Sequence, residues 1–389
     1  MERAKPVKRM PIKGFTRGAG VDRTGQISVA PVLMSLVVIA IIFQIQSSYF
    51  LSARNLSNLL VQTAVVGVVA LGEVFVLSIA EIDLSLGSVL GVTAAILALL
   101  MTADKLSWWL AIIVALVCAI CIGALQGWLV AWARLPSFIV TLAGLLAWLG
   151  LQLFILGPNG SVNVFQPDIV AITSAYVSGW LIWVLAGLGS LWCIRRAWGS
   201  FRAGGDTRRG VLWIVRALVA IVVVAVLSGY QGVPLAGIII LALVLCAEWM
   251  LTSTPAGLEV FAVGGNADGA RRSGIDIRTV RMTVFMLSAA LAGIAAVIEV
   301  SYGQAAGTLT GGGTLLLAAI GAAVIGGTSL FGGIGSAWSA LLGALVLSGI
   351  ANGLDLTNHS ASVKYMVEGV VVALAVLGDR LLHPSKVQS

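Results

Sequence analysis

Twelve apolar runs, separated mostly by short polar segments, leave this chain few ways to fold. They cover residues 29–45, 59–80, 84–103, 108–132, 138–156, 174–194, 211–227, 233–251, 282–300, 314–327, 334–350 and 365–377. A bilayer core takes roughly 20 residues of helix, and only helices or closed barrels satisfy their backbone polar groups inside it. Most of the runs have that helical length, well beyond the roughly ten residues of a membrane strand. The expectation is an all-α, polytopic transmembrane helix bundle of about ten to twelve spans. Run 314–327 is short enough for a re-entrant or broken helix.

Composition excludes the soluble classes. Of 389 residues, 59% are hydrophobic and 10% charged, against about 25% charged in a soluble protein. No long polar linker divides the chain, so one transmembrane domain is expected over residues 29–382. Short tails, 1–28 and 383–389, flank it. Arg3, Lys5, Lys8, Arg9, Lys13, Arg17 and Arg23 precede any apolar core, which reads as a cytoplasmic tail and not a signal peptide.

A net charge of +7 does not point to nucleic acid, because the cations are dispersed between apolar runs and not gathered on one surface. Membrane lipid is the partner that this pattern fits. Cys118 and Cys121 form a CxxC inside an apolar run, read as small-residue packing and not as a metal or redox pair.

The distribution of basic residues gives an independent test of the spans. With the N-terminus inside, all of the 23 Lys and Arg except Arg54, Lys105 and Lys364 fall on cytoplasmic segments, counting Arg216 as snorkelling from that side. Both termini are then cytoplasmic. Small-xxx-small pairs, Gly87 with Gly91 and Gly123 with Gly127, read as close helix contacts.

Three features stand out from apolar packing. In VVALGEVFVLSIAEIDLSLGS (68–88), Glu81, Asp83, Ser85 and Ser88 interrupt an apolar stretch, either as a turn with Asp83 and Ser85 capping the next helix or as a polar lining for a solute path. The polar segment 252–281 contains AVGGNADGARRSGI, with Gly264, Gly265 and Asn266 ahead of a short helical pattern, Ala270 to Ser273, closed by Gly274. Such a segment suits docking of a motor, or is a solvated basic loop; the phosphate-binding pattern GxxxxGK[ST] is absent from the chain. The third feature is buried charge. Glu73 and Glu299 have no sequence-local partner and are candidates for solute contact, proton relay or a structural role, whereas Glu368 follows Lys364 at a neutralising spacing. A weak echo links IDLSLGSVL (82–90) with TSLFGGIGSAW (328–338).

YFLSARNLSNLLVQTA (49–64), VFVLSIAEIDLSLGS (74–88), PSFIVTLAGLLAW (136–148), FAVGGNADGARRSGI (261–275) and VIGGTSLFGGIGS (324–336), in that order, resemble the permeases of bacterial ABC monosaccharide importers. AEIDLS is similar to the D-xylose branch in particular. The resemblance implies two permease copies, two cytoplasmic ABC ATPase subunits carrying ATP and Mg, and a periplasmic or lipid-anchored sugar-binding protein. It also implies that Gly264, Gly265, Asn266, Ala270, Arg271, Ser273 and Gly274 meet the ATPase. Departures from the family pattern are Gly257, Leu258 and Glu259 in place of a phenylalanine-glycine-arginine run, Glu73 in place of a methionine, and Ala318 in place of an aspartate.

The expected function is therefore transport of a monosaccharide through a cytoplasmic-membrane permease that binds no cofactor itself. Glu81, Asp83, Ser85, Ser88, Glu73 and Glu299 are the path candidates. The rival is an ion- or proton-coupled secondary transporter using Glu73 or Glu299. A membrane enzyme is disfavoured because no nucleophile-base or metal constellation stands out.

Overall fold

The computed structural model describes residues 29–103, 105–177, 180–202 and 207–382. The two tails, and the side chains of Arg208, Arg209, Arg216 and Arg380, lie outside the described residues. Each of the twelve apolar runs coincides largely with a helix. The first five are α1 (Val29–Gln46), α2 (Ala53–Ser78), α3 (Leu86–Thr102), α4 (Trp108–Ala131) and α5 (Ser137–Leu156). A short strand β1 (Ser161–Asn163), a short helix α6 (Pro167–Ser174) and strand β2 (Tyr176–Val177) follow. Then come α7 (Trp180–Arg202), α8 (Thr207–Ser228), β3 (Val233–Pro234) and α9 (Leu235–Ser253). The polar segment folds as α10 (Pro255–Gly265) and α11 (Ala267–Arg272). The chain closes with α12 (Ile277–Gly303), β4 (Ala305–Gly307), α13 (Gly313–Ile325), α14 (Ala337–Leu356) and α15 (Ala361–Leu382).

This is an all-α bundle. Among the described residues, α2, α4, α5, α9, α12 and α14 are long and apolar enough to cross a membrane, and α3, α13 and parts of α1 and α8 are shorter apolar helices. At 13 residues, α13 is about 20 Å long, as its short apolar run implied. Its entry segment is held by Gln152 of α5, whose Nε2 donates to Gly307 O (2.8 Å) and Thr310 O (3.0 Å).

Burial separates the helices into two classes. α2 is 83% buried over its most apolar stretch, whereas α4 is 22% buried. An apolar helix with no polar face can sit at the centre of a bundle or against lipid. α2 takes the centre, packed by α9, α12, α13 and α14, and α4 turns most of its surface outward. What α4 buries is a stripe at four-residue spacing, Ala111, Ala115, Ala119, Gly123 and Gly127, laid against α12. A Cβ on Gly123 would come within 2.5 Å of Phe285 O, so the small residues set the interaxial distance. In lipid, where apolar burial gives helices little drive to associate, such close packing is a main source of cohesion.

The cysteines do not share in that contact. Cys121 is exposed and Cys118 half-buried, so the expected small-residue packing belongs to the alanines and glycines of the stripe. Lys364 has a partner beyond the expected one. Its Nζ pairs with Asp355 Oδ1 at 2.8 Å, brought close by the turn between α14 and α15, while Glu368 stays within its electrostatic reach. The α7–α8 pair packs chiefly on itself, with α8 also touching α2. Strands β2 and β3 pair antiparallel at its base, Tyr176 with Pro234 and Val177 with Val233.

Replacing Gly123 with valine is expected to destabilise the α4–α12 contact by about 1–3 kcal/mol through overpacking. Gly150→Val, where a Cβ meets nothing within 4 Å, is expected to change stability by no more than about 0.5 kcal/mol. Melting of the two purified variants in detergent compares them directly.

Candidate functional site

Three interrupted helices meet on the bundle face that carries α10 and α11. The first break follows α2. Ala80 has φ 60°, a left-handed conformation uncommon outside glycine. It closes the helix, with Ala80 N donating to Leu77 O (2.9 Å) and Glu81 N to Val76 O (3.2 Å). The chain then turns into α3 through Asp83, whose Oδ1 accepts from Ser85 N (2.8 Å) and Ser85 Oγ (2.6 Å). Gln126 of α4 donates to Ser85 Oγ at 2.8 Å, and Ser88 Oγ donates to Ser85 O at 2.8 Å.

Asp83, Ser85 and Ser88 are all buried. The turn is thus polar and internal, but the Ser85 hydroxyl serves Asp83 and does not cap α3. The Asp83 carboxylate beside the start of α3 complements the helix dipole. Its Oδ2 is buried with no hydrogen-bond partner among the described residues, and the same is true of both Glu73 oxygens. Glu73 lies within electrostatic range of Asp83. Glu299 stands apart on α12, partly buried.

Glu81 has a different setting. Its Oε1 pairs with Arg281 Nη2 at 2.7 Å, and only 12% of its side chain is exposed. The ion pair ties the α2–α3 break to the first turns of α12. Along the sequence Arg281 is only one of the dispersed cations, with nothing local to join it to Glu81.

The second break is between α10 and α11. The sequence places a helical pattern at Ala270 to Ser273; α11 instead begins at Ala267, because the Asn266 side chain accepts from Gly269 N at 2.9 Å. Asn266 also ends α10, its N–H donating to Ala262 O at 3.0 Å. Gly264 and Gly265 therefore form the last turn of a helix that periodicity did not reveal. Gly274, at φ 87°, closes α11, with its N–H on Arg271 O at 3.0 Å. Ala270 is buried, while Arg271, Arg272 and Ser273 are exposed.

The third break precedes α14, where Gly332 and Gly333 have φ 80° and 73°. Gly333 N donates to Ser78 O, the end of α2, at 3.0 Å. Gly264 wedges against both. A Cβ there would run into Ser78 O and lie 2.7 Å from Gly333 N. The echoed segments thus sit at two breaks that touch one another through backbone.

Glu248 of α9 completes the junction. Its Oε2 accepts from Ala337 N and Ser336 Oγ, both at 2.9 Å, giving a partner to a buried backbone N–H at the start of α14. This carboxylate lies inside the apolar run 233–251, where its own sequence neighbours give no sign of a distant helix start as its partner.

The profile of the family described as branched-chain amino acid transport system / permease component matches residues 55–376. The xylose transport system permease protein XylH of Escherichia coli is 37% identical over 347 residues, spanning 85% of this chain and 86% of the relative. XylH of Haemophilus influenzae is 32% identical, spanning 89% of this chain and 94% of the relative. The ribose import permease protein RbsC of Escherichia coli is 33% identical, spanning 89% and 92%. No solved structure matches the chain.

Glu81→Gln and Arg281→Gln are each expected to lower the melting temperature, and the double variant to fall short of their sum by about 1–2 kcal/mol. A double-mutant cycle read by thermal melting measures that coupling, and additivity would dissolve the proposed tie.

Proposed function

Because the chain belongs to the branched-chain amino acid transport system permease family, we propose that it is the membrane subunit of an ATP-driven importer whose cargo is a monosaccharide, D-xylose or a similar pentose. The family description speaks of amino acids, but the similar proteins named above are xylose and ribose permeases, which favours a sugar. It is a transport subunit, not an enzyme. In this reading ATP and Mg reside on cytoplasmic ATPase subunits, and a periplasmic or lipid-anchored binding protein presents the sugar to a pair of permease copies.

The observation that carries the proposal is the junction of α10–α11 with two other helix breaks. Arg134, Arg271, Arg272, Arg278 and Arg281 all lie on that face, which supports its being cytoplasmic, with both termini inside. The exposed side of α11 offers Arg271 and Ser273 to the ATPase. The buried side is anchored by Ala270, and the preceding Gly264 rests on Ser78 and Gly333. A backbone contact has no rotamer freedom to absorb displacement, so a push on α10–α11 is handed to the end of α2 and the start of α14.

Opening and closing of a path beside Asp83, Ser85 and Ser88 follows. Glu73 supplies a second buried carboxyl near that path. Glu81 acts at its cytoplasmic end through Arg281, and Glu299 is a more distant contributor along α12.

Reconstituted vesicles carrying the permease, its ATPase and binding protein test the class. Uptake is expected to stop without ATP and to survive collapse of the proton gradient; the opposite pattern would establish the gradient-driven alternative. Arg271→Glu is expected to leave insertion intact and weaken ATPase association about tenfold or more, roughly 1.4 kcal/mol. Unchanged co-purification removes Arg271 from the docking surface.

A further inference from the structure

Beside the Glu81–Arg281 pair lies a cleft of about 750 Å³, bounded by the α4–α5 connection and the α11–α12 connection. Four guanidinium groups line it, those of Arg134, Arg271, Arg278 and Arg281, against the carboxylates of Glu81 and Asp276. Both carboxylates are already engaged. Glu81 holds Arg281. Asp276 accepts from Thr279 Oγ1 (2.7 Å) and Arg278 N (3.1 Å), and the Thr279 hydroxyl holds its carboxyl below the usual range.

The cations are less well matched. Arg271 reaches Asp268 only at 4.0 Å, with both side chains mostly exposed. Arg134 makes no ion pair among the described residues, and Arg281 Nε is buried with no hydrogen-bond partner. A cleft with several planar donors and spare positive charge selects an anion with several acceptor oxygens, and phosphate is the common one.

The other wall narrows the choice. Leu135 and Pro136 line the cleft, and Trp132, Leu135, Phe138 and Ile139 beside it are exposed. Free phosphate gains nothing from such a rim, and neither does an acidic side chain of a docking protein. A phospholipid uses both parts, its phosphate among the arginines and its acyl chains along Leu135, Phe138 and Ile139. We propose that this cleft is a binding site for the phosphate headgroup of an anionic membrane lipid, bridging the α4–α5 turn to the start of α12. The inference rests on this face meeting the bilayer surface and does not depend on the cargo or the energy source.

The test uses the full chain purified in detergent and titrated with phosphatidylglycerol, or with phosphatidylcholine as control, with bound lipid counted by native mass spectrometry. Wild-type protein is expected to retain phosphatidylglycerol preferentially, and the Arg134→Gln/Arg278→Gln variant to hold it about tenfold to a hundredfold less tightly. Leu135→Asn keeps every arginine and is expected to weaken lipid retention while leaving any effect of inorganic phosphate on melting unchanged. It also serves as the independent readout should the double variant fail to fold.

Equal retention of phosphatidylglycerol by wild type and by the folded variants overturns the proposal. So does displacement of the lipid by millimolar inorganic phosphate with Leu135→Asn indistinguishable from wild type, which makes the occupant a free anion. Loss of ATPase co-purification in the double variant with lipid retention intact assigns the cleft to a protein partner, and this too overturns it.

Discussion

A helix that stops within a low-dielectric medium leaves carbonyl and N–H groups that water cannot reach, and each must find a partner inside the protein. The rest of this structure depends on how that demand is met at one junction. Ser78 O, released at the end of α2, accepts from Gly333 N. The first N–H groups of α14 are served by Glu248 from α9 and by the Ser336 hydroxyl. Gly264 fits between the two breaks because it has no side chain. The breaks are tolerated because they are gathered in one place.

A related demand, that buried polar side chains find partners, is met in two clusters of this apolar chain. Asp83, Ser85 and Gln126 form one connected group at the start of α3. Asn55, Asn352 and Gln62 form another at the opposite ends of α2 and α14, with Asn55 Nδ2 donating to Asn352 Oδ1 at 2.8 Å. Between these groups α2 is held by close apolar packing. The centre of the bundle is therefore fixed in register at both ends by polar contacts while its middle is held by shape.

The architecture was legible because apolar runs of helical length admit so few folds, and the twelve runs correspond to helices within a few residues for most. The candidate site was less so. Asp83, Ser85 and Ser88 were visible because polar residues are conspicuous in an apolar stretch, and they proved buried and hydrogen-bonded together. Arg281 was not visible as the partner of Glu81, since about half of the chain separates the two and nothing local joins them. α10 was hidden because PAGLEVFAVGG mixes three glycines and a proline into an apolar run, weak helix material by propensity. Its Thr254 cap and tertiary contacts to α9, α12 and α2 stabilise it instead. Asp355 was likewise not visible as a partner of Lys364, because a turn and not helical spacing brings the two together.

The ribbon of β2 and β3 gives the α7–α8 hairpin the form of a stem and loop. Residues 176 and 234 are paired across it, and Leu235 N bonds to Ala175 O at 3.0 Å, so the excursion leaves the bundle and re-enters it at neighbouring points. The entry points for α6 and α9 are consequently insensitive to what lies beyond the stem. A lineage could lengthen, shorten or recompose that hairpin to suit its lipid surroundings while the junction at Ser78, Gly264 and Gly333 keeps its geometry.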